Sequence, residues 1–236
     1  MRQLTLGVGI RNRASFATFQ AAAAPEALLH LQRLAAGQPG IVWLYGPRAV
    51  GKSHLLQAVC AVSAPGLRVG YFPLAEMVTP AQQSQLRASL DGWQSLNICC
   101  VDDIDRAVGD EQLERALFSL YREIEEAGSA LVVSALGPPA SLAWRLADIG
   151  SRFGAAHIYR LRELTEPEQM LALRQRAQQR GLQLPDETIR YLQRRFPRDM
   201  RSLCEVLDRL DAASLAEQRR ITVPFVRQVL GEPNGG

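Results

Sequence analysis

At 236 residues, 47% of them apolar, the chain can bury a sizeable core, and its length predicts one domain of ordinary size plus a small second one. A net charge of +3, with neither half of the chain strongly basic, is too small to mark a nucleic-acid surface by itself. There is no charged-then-apolar leader and no apolar run of about 18 residues, which predicts a cytoplasmic protein with no membrane partner. Cys60, Cys99, Cys100 and Cys204 lack zinc-type spacing and read as reduced thiols.

Residues 1–13 read as an extended tail, in which Gln3-Leu4-Thr5-Leu6-Gly7-Val8 alternates polar and apolar side chains. Phe16 and Phe19 follow, then a predicted helix over 27–34 that Gly37 and Pro39 end. The apolar run 41–45 reads as a buried strand. It feeds Gly46-Pro47-Arg48-Ala49-Val50-Gly51-Lys52-Ser53, and His54 opens a helix. Further strands are predicted over 68–72, 97–101, 131–134 and 155–161. Helices are predicted between them, over 80–90 and 111–127. Strands alternating with helices imply a parallel sheet. From residue 163 the strands stop. Helices are predicted over 166–180, 186–196, 199–217 and 223–230, with Thr165 as a cap. The expected organisation is a tail (1–13), an α/β domain (14–162) and a small all-helical lid domain (163–236).

The stretch Gly46–Ser53 satisfies G-x-x-x-x-G-K-[ST] at every specified position, between a strand and a helix. In such a loop backbone N–H groups wrap phosphates, the lysine reaches the terminal phosphates and the serine hydroxyl holds Mg²⁺. Lys52 is the only lysine among 27 basic residues, at the one place where a compact ammonium suits a phosphate better than a planar fork. The apolar run ending at Val101 is followed by Asp102-Asp103. Asp102 is the candidate for Mg²⁺ through water, and Asp103 for orienting the attacking water. The plainer reading is two surface aspartates after a buried strand. Arginines near strand ends and lid starts, namely Arg152, Arg198 and Arg201, are candidates for charge at a γ-phosphate. Spacing alone does not choose among them.

The order of phosphate loop, acid pair, Ser-ending fourth strand, Ser151-Arg152-Phe153 and a lid carrying Arg198-Asp199-Met200-Arg201-Ser202-Leu203 resembles the AAA+ domain of the bacterial replication initiator DnaA. Gly51-Lys52-Ser53-His54-Leu55-Leu56 is especially close to it. A short chain of this kind with a Gln-Leu-x-Leu start is similar to the Hda-type regulatory inactivators of the DnaA-related AAA+ family. The likeness covers nearly the whole chain, including Tyr71-Phe72-Pro73-Leu74 and Arg180-Gly181. It implies a P-loop AAA+ fold, a five-stranded parallel sheet flanked by helices with a small helical lid after it.

The resemblance further implies bound ADP (or ATP) with Mg²⁺, and docking on the sliding clamp, the beta subunit of DNA polymerase III. DNA is then reached indirectly, through the clamp. It also implies action on the initiator DnaA, whose ATP hydrolysis an arginine finger promotes, so that re-initiation is prevented. A homodimer or higher oligomer is allowed. Carried over by position, Gln3, Leu4, Leu6 and Val8 form the clamp peptide, Phe16 and Phe19 lie near the adenine, and His54 follows the phosphate loop. Arg152 is the finger given in trans and Arg201 the lid's sensor arginine, with Arg198 as its fallback.

Three departures from the family pattern bear on this. Gly7-Val8 replaces Pro-Leu, which predicts weaker clamp binding. Asp103 is one methylene shorter than the usual Glu, which predicts slow hydrolysis by the chain's own site. Ala21 to Ala24 replace the Gly and Asn that follow the paired aromatics. Two other readings stay open: an ATP-driven helicase loader of the DnaC kind, and a truncated initiator-like ATPase. The Gln-Leu-Thr-Leu start favours the regulator.

Overall fold

The computed structural model describes residues 14–20, 24–77, 92–197 and 199–231. The expected clamp peptide (Gln3, Leu4, Leu6, Val8), the helix expected over 80–90 and Arg198 lie outside the described residues.

The apolar runs form one parallel sheet of β1 (Gly40–Tyr45), β2 (Val69–Pro73), β3 (Ile98–Asp102), β4 (Ala130–Ala135) and β5 (His157–Arg160), in the order β2-β3-β4-β1-β5. Every residue of β3 and β4 is buried, as continuous apolar strands are when both faces of a sheet are covered. β5 is an edge strand, mostly exposed and shorter than the expected 155–161. Its pairing runs one step further, because the Leu161 N–H donates to the Tyr45 carbonyl at 2.7 Å.

Among the described residues, five α-helices accompany the sheet: α1 (Pro25–Ala35), α2 (Lys52–Val62), the single turn α3 (Leu74–Met77), α4 (Glu111–Glu126) and α5 (Ala147–Gly154). Side chains alternate across a strand. Ile41, Trp43, Cys99, Val101, Leu131 and Val133 share one core with Leu113, Leu117, Leu120, Tyr121 and Ile124 of α4 and Phe153 of α5. The residues between them, such as Val42, Leu44, Cys100 and Val132, are fully buried on the opposite face. α4 starts where Asp110 accepts from the N–H groups of Gln112 and Leu113, at 3.0 and 3.2 Å. α5 corrects the sequence reading, which placed Arg152 near a strand end and predicted no helix there. Gly150 and Gly154 argue against a helix there. Ile149 and Phe153, one turn apart and both fully buried, override that propensity.

From Arg162 onward the described chain is helical: α6 (Glu166–Gln178), α7 (Asp186–Arg195), α8 (Met200–Glu217) and α9 (Val223–Leu230). Leu173, Ile189, Leu192, Leu203, Leu207, Leu210 and Phe225 fill their common core. Caps set the starts. Thr165 and Glu168 form a capping box on α6, and Asp199 accepts from the Ser202 N–H at 2.9 Å at the head of α8. Arg180, just past α6, bonds Asp208 and Asp211 of α8 at 2.5 and 3.2 Å.

The chain divides into two compact units, one built on the sheet and one helical. The helical unit is Arg162–Gly236, with Thr18–Ala23 and Arg48–Gly51 grouped with it. Among the described residues no helix is long and apolar enough to cross a membrane, and the four cysteines are free thiols.

Candidate functional site

In a parallel sheet all strands end at one edge, and ligands favour the crevice outside those ends. β1 ends at Tyr45 and the chain turns at once. At Gly46 (φ +152°) a Cβ would stand 2.3 Å from the Leu161 carbonyl oxygen, so the backbone passes closer than any side chain allows. Gly51 (φ +102°) holds the loop's other end, with the Phe19 ring 3.0 Å from where its Cβ would be. Ala49 is left-handed at φ +62°, a conformation that costs a non-glycine residue roughly 1–2 kcal/mol and concentrates at ligand sites. α2 then starts at Lys52, with its first N–H groups pointing out of the helix end. The Lys52 side chain is buried, and its ammonium donates to the Gly46 and Pro47 carbonyls at 2.7 Å each. The loop is thus closed around its own cation. Ser53 is exposed on the first turn of α2, as is Arg48 on the loop.

At the end of β3 Asp102 is buried. The Tyr71 hydroxyl of β2 donates to its Oδ2 at 2.7 Å, and the Ser134 hydroxyl of β4 donates to its Oδ1. Ser134 Oγ accepts in turn from the Asp103 N–H at 3.0 Å. Gln57 of α2 donates to the Tyr71 oxygen at 3.2 Å. Burial, and next the Asp102 charge, push the Tyr71 phenol far above its ordinary range, so it stays a donor. Asp103 has a left-handed backbone at φ +55°. Its carboxyl is raised above the usual carboxylate range, first by burial and then by Asp102 and Asp105, with Lys52 pulling it back. The structure therefore brings Lys52, Asp102 and Asp103 to the same edge of the sheet.

The other residues singled out from the sequence fall as follows. The Ser15 carbonyl accepts from His54 Nε2 at 2.9 Å, which ties the segment before α1 to the start of α2. Phe19 lies on Gly51 of the loop. Phe16 lines a shallow apolar cavity with Ala35, Ala36, Val62 and Ala64, at the C-terminal ends of α1 and α2. Arg152, on α5, is about half exposed, with Glu125 Oε2 3.7 Å away. Arg201, in the first turn of α8, is exposed and bonds Glu205 at 3.1 Å.

Sequence reasoning missed Gln57, Tyr71 and Glu114. A tyrosine in an apolar strand needs a partner for its hydroxyl, and that was the available signal for Tyr71. Glu114, fully buried on the apolar face of α4, accepts from the N–H groups of Gly109, Arg145 and Leu146 at 2.8, 3.2 and 2.9 Å. It fixes the start of α5, the helix that carries Arg152.

A family model of the bacterial DnaA ATPase domain matches residues 10–158. The chain belongs to that family. A model of the Hda lid domain matches residues 166–230. Domain III of the Thermotoga maritima initiator DnaA is similar with a TM-score of 0.76 and 19% identity, over 92% of this chain and 95% of that one. A DnaA structure bound to AMPPCP and single-stranded DNA is similar with a TM-score of 0.70 and 17% identity, over 89% and 70%. So is a single-substitution variant of Thermotoga maritima RuvB, with a TM-score of 0.65 and 16% identity, over 94% and 72%. At such identities these structures share the fold with this chain, and a fold common to DnaA and RuvB does not select a function. The family and lid matches make this a DnaA-related, Hda-like AAA+ protein.

The residues present fit a nucleotide. Gly46 and Gly51 let the loop turn where a side chain would clash, and Lys52 supplies an ammonium at the loop's end. Ser53 and Asp102 would hold Mg²⁺, which when bound neutralises phosphate charge.

Proposed function

We propose that this chain is a nucleotide-holding regulator of replication initiation, acting on the ATP bound to the initiator DnaA. The observation that carries the reading is the joining, in one chain, of a DnaA-type phosphate loop and acid strand to a lid of the Hda type. ADP or ATP sits on Gly46–Ser53 with Mg²⁺ at Ser53 and Asp102, and Phe19 and His54 flank the nucleotide, while Phe16, at the C-terminal ends of α1 and α2, falls outside the site. Arg201 contributes its charge from the lid. Gln3, Leu4, Leu6 and Val8 dock on the sliding clamp as an extended peptide, so DNA is reached through the clamp. Arg152 is presented to the nucleotide of a neighbouring initiator. Its exposure supports that role, and so does its long ion pair, since a surface pair of this kind is worth about 0–1 kcal/mol and gives way to a better anion. Asp103 orients water in the chain's own site, where turnover is slow.

The test mixes the protein with ATP-bound initiator and follows conversion to the ADP form, with and without clamp-loaded DNA. Conversion that rises with both components is the expected result. Nucleotide consumption by the protein alone, indifferent to the initiator, would sink the regulator and favour a loader.

A further inference from the structure

The helix that carries Arg152 is short and has a glycine in its middle, where alanine would make a better helix. The Gly150 backbone is not left-handed, so no turn requires the glycine. What a side chain would meet there is Trp144: a Cβ would stand 2.9 Å from its Cδ1 and 3.4 Å from its Nε1. That indole is held in place. Its Nε1 donates to the Pro139 carbonyl at 3.0 Å. Its ring stacks on Phe153 with centroids 6.3 Å apart and meets Trp43 edge-on at 6.5 Å. Trp43 is itself fully buried and donates to the Gly137 carbonyl at 3.0 Å. The chain between Trp144 and α5 is held as well, by the Arg145 and Leu146 N–H groups that donate to Glu114.

Resting on the finger role proposed above for Arg152, we infer that the close contact of Gly150 with Trp144 sets where α5 holds that arginine. Gly150 and Trp144 are positioning residues, acting through the helix. Successive helix residues are about 100° apart. With Ile149 and Phe153 buried, Gly150 and Arg152 therefore fall on opposite flanks of the buried stripe. Trp144 bounds the first flank. Glu125 of α4, 3.7 Å from the Arg152 guanidinium, borders the second. α5 is thus seated between an indole and α4. A Cβ at 150 would push it off the indole, toward α4, by about half an ångström before ordinary carbon contact is restored. A planar fork aimed at a neighbour's phosphate needs its helix placed that finely, because a misplacement of about 1 Å can cost on the order of 100-fold in rate.

The test follows the initiator's conversion to its ADP form on clamp-loaded DNA for Gly150→Ala, Trp144→Leu and the double variant, with Arg152→Ala alongside. Gly150→Ala should lower the maximal rate roughly tenfold to a hundredfold. The initiator concentration at half-maximal rate, the chain's own ADP affinity and the melting temperature should stay near the parent's, the last because alanine's better helix propensity offsets the crowding. Trp144→Leu gives the new Cβ room, so adding Gly150→Ala to it should change the rate by less than about twofold. A parent-like rate in Gly150→Ala overturns the positioning role. So does an equal loss in both backgrounds, the mark of an alanine that acts without Trp144. A Gly150→Ala chain that melts far below the parent, or does not fold, overturns it too, because the contact would then hold the core and not the finger. Parent-like stimulation by Arg152→Ala would remove the finger itself, and the positioning role with it.

Discussion

The two units bury polar side chains of different kinds. Among the described residues, those buried in the sheet unit are Lys52, Asp102, Glu114 and Ser134, three of them charged; those in the helical unit are Gln169, Thr188, Gln193 and Ser214, all neutral. The neutral set stitches its unit together. Gln193 donates to the Glu166 carbonyl at 2.9 Å, Thr188 to the Ile221 carbonyl at 3.3 Å and Ser214 to the Arg219 carbonyl at 2.5 Å. Helix ends can be joined this way without taking an ion out of water, which costs several kcal/mol. The helical unit accordingly keeps its ion pairs at least partly exposed, as in Arg201–Glu205 and Arg162–Glu168. Buried charge therefore separates chemistry from architecture here, with Glu114 as the exception: its charge serves three backbone N–H groups.

Four substitutions break or sharpen this contrast. The largest effect is expected at Arg152, a sheet-unit charge that is exposed. Arg152→Ala should keep the fold and the chain's own ADP affinity yet abolish stimulation of the initiator. An arginine finger is worth roughly 10³–10⁵-fold, about 4–7 kcal/mol. Arg152→Lys should restore little, because an ammonium lacks the planar fork. The initiator's conversion to its ADP form on clamp-loaded DNA is the readout; parent-like stimulation by Arg152→Ala would place the finger elsewhere.

Glu114→Ala comes next. It leaves three inward-facing N–H groups without their acceptor and should lower stability by about 3 kcal/mol or more, measured by urea unfolding. A loss under about 1 kcal/mol would mean that water replaces the carboxylate and that Glu114 is no exception to the contrast.

Lys52→Ala should weaken ADP binding by roughly 1.5–3 kcal/mol, about 10- to 100-fold, with little change in melting temperature. On the proposed reading the buried ammonium serves a ligand rather than the fold. Calorimetric titration reads the first effect and a thermal melt the second. Unchanged affinity would remove the loop from the functional site.

The smallest effect belongs to the helical unit. The Arg162 guanidinium, bonded to both oxygens of Glu168 at 2.7 Å, together with the Thr165 N–H, holds the Glu168 carboxyl down at about 2 from its ordinary value of 4.5. A depressed carboxylate stabilises the fold fully above the higher value, and that stabilisation fades as pH falls through about 2. Glu168→Gln keeps the capping box but removes the charge. It should therefore give a shallower loss of helical circular dichroism between those two pH values; an identical acid limb would show that the pair contributes nothing.

Local chemistry alone made much of this protein legible. Thr165 with Glu168, and Pro167 in the first turn, mark the start of α6 because a cap is satisfied within four residues. Glycines at 46 and 51 with Lys52 between strand and helix mark the phosphate loop, because the backbone there must turn where no side chain fits. The parallel sheet followed from apolar runs separated by helical spacing.

What the sequence did not reveal was set by contacts between distant residues. α5 forms despite two glycines because Ile149 and Phe153 have a core to enter. Phe16 and Phe19 look equivalent on paper, yet one lines a cavity at the far end of α2 and the other lies on Gly51. Glu114 reads as one more surface acid until Arg145 and Leu146 arrive above it. The aspartate pair announced itself after β3, but its holders did not. Tyr71 and Ser134 reach Asp102 from 31 and 32 residues away, and only strand order and register bring such groups within hydrogen-bonding distance.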